Sequence, residues 1–296
     1  MATDETDLLL LGASGQVGQE VIRAASGKLG IKLRTAGRSD PDPNRRFDLE
    51  QPESVSRLIQ RDRPAHVIIC AAATDVAWCE QHPDESLLMN VRSPVAAATA
   101  AARIGATVTF ISTDYVFDGA EGPYPEGAQT RPINVYGAHK LAAEDALLDV
   151  NAKALVVRSC QVFGDDPRRV NFVLRVVDRL RTQSTVEAAS DLFGTPTYAP
   201  DLANGVVGLT VAGATGIWHV AGDTFLSRYA LARRAAQIFG CDSDGIVEVR
   251  ADDMEDIVDR PRRAGLTNSR LVGTSWGRIT PLDLALERLA QTEASE

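Results

Sequence analysis

Residues 8–25, "LLLLGASGQVGQEVIRAA", pass from a short apolar run to an amphipathic one through Gly12, Gly15 and Gly18. Four consecutive leucines read as a strand buried on both faces, and the period after Gln16 reads as a helix, so the glycines occupy a strand-to-helix turn. Glycines at such a turn let backbone N–H groups approach a phosphate closely, while the helix N-terminus adds free donors and a favourable dipole. The spacing is Gly-x-x-Gly-x-x-Gly rather than the common Gly-x-Gly-x-x-Gly, but the physics is shared. We read Gly12, Ser14, Gly15, Gln16, Val17 and Gly18 as a cradle for a dinucleotide pyrophosphate. A glycine turn that serves only tight helix–sheet packing is the competing reading.

Further along, short apolar runs keep alternating with helical patterns. "DLLLLG", "IKLRTAG", "HVIICAAA", "ATVTFIST" and "KALVVRS" read as strands; Gln16 to Ala25, Pro52 to Gln60, the stretch "DESLLMNVRSPVAAATAAARIG" and Tyr136 to Val150 read as helices. This alternation predicts an α/β fold, a Rossmann-type doubly wound parallel sheet, to which "GIWHVAG" adds a late strand. Segments such as "GDDPRRVNFV" and "RPRRAGLTNSRL" carry the Gly, Pro and Arg of a smaller, loop-rich α+β lobe. The expected division is a dinucleotide domain over 1–160, completed by about 199–222, and a discontinuous substrate lobe over 161–198 and 223–296.

A net charge of -9 argues against nucleic acid as a partner, because neutralising phosphates needs a concentrated basic surface. The apolar run Leu8–Leu11 is too short for a signal peptide or a membrane span, so a cytoplasmic location without membrane attachment is expected. Cys70, Cys79, Cys160 and Cys241, like His66, His82, His139 and His219, lack metal-ligand spacing. Reduced thiols and no metal site follow.

Arg38 closes the second strand, where a site for NAD would carry an acidic residue. An arginine there suits a 2′-phosphate, so NADPH is the expected cofactor, with NADH as the second option because Asp40 is near. Asp48 and Leu49, assigned to the segment after the third strand, are expected beside the adenine; Ala71, Ala72 and Ala73 offer a small-residue floor beneath the cofactor.

Tyr136 and Lys140 are four apart in a run of good helix formers and so project from one face. An ammonium beside a phenol is expected to lower its pKa from about 10 toward neutrality. Such a tyrosine can hand a proton to a developing alkoxide, while the Thr113 hydroxyl, at a neighbouring strand end, polarises the same carbonyl.

On "GASGQVG", "CAAATDVAWCE", "STDYVFDG", "PINVYGAHKLAAE", "VVRSCQVFG", "DLFGTPTYAPDLA" and "RPRRAGLTNSRL", the chain resembles the extended short-chain dehydrogenase/reductases, in particular the dTDP-4-dehydrorhamnose reductase group. The resemblance implies hydride transfer from NAD(P)H to the C4 ketone of a nucleotide-linked 4-keto-6-deoxyhexose. It implies Thr113, Tyr136 and Lys140 as the catalytic set, the latter two also touching the cofactor, with Thr113, Asp114 and Tyr115 at the sugar. Gln161 stands where that group usually has tryptophan against the sugar, which leaves the sugar's identity open. Asn171, Arg158 and the Arg168–Arg169 pair are candidates for the substrate diphosphate. Some members build a magnesium-dependent dimer; Glu20 matches one of the carboxylates, but Pro200 occupies another position, so a homodimer is an option without that metal. An epimerase of the same superfamily, or a non-catalytic subunit like the regulatory beta subunit of methionine adenosyltransferase, are the alternatives.

Overall fold

The computed structural model describes residues 5–26, 28, 30–254 and 258–295. The first half alternates strand and helix: β1 (Thr6–Leu11), α1 (Gln16–Ser26), β2 (Ile31–Ala36), α2 (Pro52–Asp62) and β3 (His66–Ile69). Two short helices, α3 (Val76–Gln81) and α4 (Pro83–Leu87), lead through a wide π-type turn at Leu88–Arg92 into α5 (Ser93–Arg103). Then come β4 (Thr107–Thr113), α6 (Val135–Val150), β5 (Leu155–Ser159), β6 (Val162–Phe163) and α7 (Phe172–Arg181). The remainder comprises β7 (Val186–Ala189), β8 (Phe193–Gly194), β9 (Thr197–Tyr198), α8 (Ala199–Val211), β10 (Gly216–His219), β11 (Leu226–Ser227), α9 (Arg228–Ile238), β12 (Ile246–Val249) and α10 (Leu282–Ser295).

Six strands form one sheet in the order β10-β5-β4-β3-β1-β2, every neighbouring pair parallel. The chain moves outward from β1 to β2 and then resumes on the other side of β1 with β3. That reversal opens a crevice at the carboxyl ends of β1 and β3, where sheets of this kind hold ligands. The alternation of strand residues divides the core. Leu9, Leu11, Val67, Ile69, Val108 and Phe110 face α2, α5 and α6, while Leu8, Leu10, Ile68, Leu155 and Val157 face α1 and α8. Both faces are covered, which is why β1 reads as an unbroken apolar run.

Beyond the sheet, α7, α9 and α10 pack around Leu174, Leu231, Leu286 and Leu289, and the parallel pair β7–β12 closes on α7 and α9 through Val176, Val186 and Ile246. Arg169 ties this region together by pairing with Asp178 on α7, at 2.6 Å, and Glu293 on α10, at 2.8 Å. Among the described residues, no helix is long and apolar enough to cross a membrane.

The structure departs from the sequence reading in three places. β3 ends at Ile69, and "CAAA" continues as extended chain beside β1, with Cys70 and Ala71 both donating to Leu11 O. The segment "VAWCEQ" forms a helix of its own, capped by the Asp75 side chain on Trp78 N. Asp48 and Leu49 precede the third strand, in the loop between β2 and α2.

Candidate active site

The three glycines of the first turn differ in what they do. Gly12 has φ +96, and a Cβ there would stand 2.6 Å from Ala71 N; one on Gly18 would stand 2.2 Å from Gly12 O. Both are demanded by the packing of α1 and β3 against the turn. At Gly15 a Cβ would meet nothing nearer than Gly12 O at 3.6 Å, so the fold alone does not require glycine at that position. The opening N–H groups of α1, those of Gln16, Val17 and Gly18, have no partner within the helix. Gly15 and these donors meet the demand of a phosphate-binding turn, and the residues present fit a dinucleotide.

Around the turn, Ala71 packs on Gly12, and Ala73 is held at both backbone groups by Asn90, which donates to its carbonyl and accepts from its N–H at 3.0 Å each. Asn90 is fully buried in the π-type turn and was not singled out from sequence, although the wide turn is what aims it inward. Ala72 lies between them on the same extended stretch, and Ser14 is exposed at the tip. Arg38 is exposed on the turn after β2. One oxygen of the Asp40 carboxylate accepts from Asp42 N, 3.0 Å away, within its own loop. Asp48 turns its carboxylate onto Glu50 N and Gln51, and Leu49 packs on the core beneath α5.

The reacting groups gather at the carboxyl end of β4. Asn134 caps α6 by accepting from Gly137 N at 2.8 Å, and a Cβ on Gly137 would lie 2.1 Å from Tyr115 O. Glycine at 137 therefore allows α6 to press against the turn after β4, which sets the Tyr136 phenol beside Thr113, whose hydroxyl donates to Asp114 Oδ1 and accepts from Tyr115 N, both at 3.2 Å. Tyr136 is buried against Val76, Cys79 and Val258, with the Tyr115 ring edge-on at 5.9 Å. One helical turn on, Lys140 is buried, donates from Nζ to Ile111 O at 2.7 Å and sits 3.7 Å above the Phe110 ring.

The electrostatics correct the expected sign for the phenol. Burial pushes the Tyr136 hydroxyl up from its ordinary range, and Cys79, Asp114 and Tyr115 push the same way; only the neighbouring Thr113 hydroxyl opposes them. Lys140 pays the same desolvation and is brought down to about 7, with Glu144 pulling the other way. Tyr136 is thus a protonated phenol at neutral pH, as a proton donor must be. Lys140 titrates near neutrality.

Beside this group opens a cleft of about 760 Å³, walled by Thr74, Asp75 and Val76 on one side and by α7, β7 and α9 on the other. Gln161 lines it in the left-handed region, φ +44, its amide against Gly194, and Leu192 lies on the same wall. Arg175, Arg228 and Arg260 converge there. Desolvation, then repulsion from Arg228 and Arg260, holds the Arg175 guanidinium below its usual range, while Asp75 opposes weakly. Such a cluster favours an anion. Arg260 also donates to the Tyr115 hydroxyl at 3.4 Å, linking the basic wall to the reacting end.

Several expected ligand contacts turn out to be structural. Arg158 is buried on β5 and forks onto Glu144, with Nε–Oε1 at 3.0 Å and Nη2–Oε2 at 2.5 Å, out of reach of the cleft. Asn171 caps α7, accepting from Leu174 N and donating to Gly164 O, both at 3.1 Å. Asp114 is 2% exposed, its oxygens accepting from Thr113 and from Gly265 N at 3.2 Å each, so it anchors the Gly265 loop rather than facing a sugar. Glu20 and Pro200 line one separate groove between α1 and α8, where Glu20 pairs with Arg23. Among the described residues, no group of three or more His, Cys, Asp or Glu could hold a metal ion.

Comparison with known proteins agrees with this geometry. The family model described as RmlD substrate binding domain matches residues 6–294. A dTDP-4-keto-6-deoxy-D-glucose reductase of Streptomyces niveus is 31% identical over 286 residues, 93% of this chain and 96% of the relative. The crystal structure of a dTDP-4-dehydrorhamnose reductase from Clostridium acetobutylicum superposes with a TM-score of 0.88 at 28% identity, covering 97% of this chain and 99% of that one. One from Bacillus anthracis, in complex with NADP, gives 0.86 at 25% identity over 96% and 98%. With the glycine turn, the Thr-Tyr-Lys group and a match over nearly its whole length, the chain belongs to the RmlD substrate-binding-domain family.

Proposed function

We propose that this protein is an NADPH-dependent oxidoreductase that reduces the C4 ketone of a dTDP-linked 4-keto-6-deoxyhexose. The observation that carries the reading is the buried Tyr136 phenol beside Thr113 at the end of β4, one helical turn from buried Lys140, with the phenol kept protonated by burial. Bound NADPH would supply the hydride, and the glycine turn, Arg38 and the alanine floor are the residues that would hold it. Thr113 orients the ketone oxygen. Tyr136 delivers its proton to that oxygen as charge develops, converting ketone to alcohol. Lys140, in its ammonium form, supports the phenolate left behind and would hold the nicotinamide ribose of bound cofactor.

Arg175, Arg228 and Arg260 take the sugar's diphosphate, which relieves their mutual repulsion. Tyr115 and Gln161 line the sugar. The relative from Streptomyces niveus acts on a 4-keto-6-deoxy-D-glucose, and the two solved structures are reductases of dehydrorhamnose; an amide at Gln161 favours a sugar presenting a hydroxyl at that wall. The division into a dinucleotide domain over 1–160 with 199–222 and a substrate lobe over 161–198 with 223–296 belongs to this proposal. The separate core of α7, α9 and α10 supports it, while Val162, Leu271, Trp276 and Ile279, on the lobe's side of that division, pack into the sheet core. A cytoplasmic homodimer completes the reading, on the resemblance alone, and sedimentation of the purified chain checks the dimer.

Incubating the protein with NADPH and a panel of dTDP-4-keto-6-deoxyhexoses tests the function. Loss of reduced-nicotinamide absorbance matched mole for mole by a C4 alcohol is expected. Interconversion of sugars without cofactor consumption would point to the epimerase instead.

A further inference from the structure

We propose that Arg168, on the loop after β6, reaches over the glycine turn and binds the pyrophosphate of the dinucleotide. This rests on the NADPH reading above and adds to it a contact from outside the first 160 residues. Sequence alone pairs Arg168 with Arg169 at the substrate's diphosphate. Both line the cleft, but they are held differently: Arg169 is locked by Asp178 and Glu293, whereas Arg168 directs Nη2 to within 4.0 Å of the point where a Cβ on Gly15 would stand. Gly15 is the glycine that the fold does not demand, and it opens α1.

The loop that carries Arg168 is braced for this. Gln16 Nε2, from the first turn of α1, donates to Gly164 O at 3.1 Å, and Arg23 Nη2 pairs with Asp165 at 2.7 Å. Buried Asp166 accepts from Arg168 N at 3.2 Å and Val170 N at 3.1 Å, which fixes the backbone at the loop tip. The Arg168 side chain itself stays 60% exposed, its nearest carboxylate contact a loose 3.6 Å from Nε to Asp166. A guanidinium so placed offers a fork to an anion on the helix N-terminus, where backbone donors and dipole already favour negative charge. Because the loop is fastened to α1 by its own contacts, the Arg168 backbone arrives pre-positioned, and only the side chain is left to be ordered when the phosphate binds. The basic wall of Arg175, Arg228 and Arg260 is left to the substrate.

Titration of the full chain and its variants with three probes tests this: NADPH, adenosine 2′-monophosphate, which carries the 2′-phosphate but neither phosphate of the pyrophosphate, and dTDP. Arg168→Ala is expected to weaken NADPH about tenfold, with Arg168→Lys in between, and to leave adenosine 2′-monophosphate and dTDP unchanged. Arg175→Ala should do the reverse, weakening dTDP and sparing NADPH. Unchanged NADPH affinity in Arg168→Ala, or a loss confined to dTDP, would overturn the proposal while leaving the cofactor reading intact. A wild-type chain that binds no NADPH would overturn both.

Discussion

Replacing Gly15 and Gly18 in turn by alanine separates binding from folding within one turn. At Gly18 the new Cβ would lie 2.2 Å from Gly12 O and 3.0 Å from Ala13 Cα, all backbone that cannot swing aside. Overpacking of this kind costs about 3 kcal/mol, which for a chain of this size lowers Tm by roughly 5–10 °C. At Gly15 the same methyl group meets Gly12 O at 3.6 Å and the Arg168 guanidinium at 4.0 Å, both ordinary contacts. Gly15→Ala should therefore melt within about 2 °C of the wild type. Its methyl would stand where the pyrophosphate must come, and the loss of one charge-assisted hydrogen bond, about 1.5–3 kcal/mol, weakens NADPH roughly 10- to 150-fold. Thermal melts combined with NADPH titrations read both quantities. If Gly15→Ala bound NADPH as the wild type does at unchanged Tm, no phosphate approaches that point and the cradle assignment fails.

Three other outcomes follow from the geometry. Arg38→Ala should weaken NADPH about tenfold and NADH less than twofold in parallel titrations; equal losses would remove the 2′-phosphate contact. Glu144→Gln leaves the buried Arg158 guanidinium uncompensated and should cost about 3–5 kcal/mol in denaturant unfolding, whereas Glu144→Leu with Arg158→Met should recover most of it; a loss under about 1 kcal/mol would contradict that. His219 is held down to about 4 by burial, with Glu126 opposing and Arg158 reinforcing, and its Nδ1 lies 3.1 Å from Thr267 O. Unfolded, it takes up a proton near pH 6.5, so the native state loses stability as pH falls from there toward 4, up to about 3 kcal/mol. Comparing unfolding at pH 7 and pH 4 for wild type and His219→Gln isolates the effect, and identical pH dependence in the two would refute it.

The glycine trio and the run of leucines made the sheet and its first turn legible, because both obey local rules: period, spacing and the conformational demands of a tight bend. The four-residue step from Tyr136 to Lys140 likewise put two side chains on one face of α6. Its electrostatic consequence was not legible, since burial of the phenol and engagement of the ammonium at Ile111 O depend on what packs around them. The same applies to the arginines. Arg158 looks like a free cation in "VVRS", yet strand alternation turns it inward onto Glu144, fourteen positions back. Arg175, Arg228 and Arg260 come from α7, the start of α9 and the segment after β12, and no spacing in the chain announces that they meet. The one local hint was Arg175, a charge among the apolar residues of "FVLRVV".

The proton supplied by the Tyr136 phenol is the step on which the proposed reaction depends. Measuring single-turnover oxidation of NADPH by a dTDP-4-keto-6-deoxyhexose, for the wild type and Tyr136→Phe under saturating cofactor, tests it most directly. A fall of about 10²-fold or more in that rate, with NADPH affinity within a few-fold of the wild type, is the predicted result. Equal rates in the two proteins would contradict it.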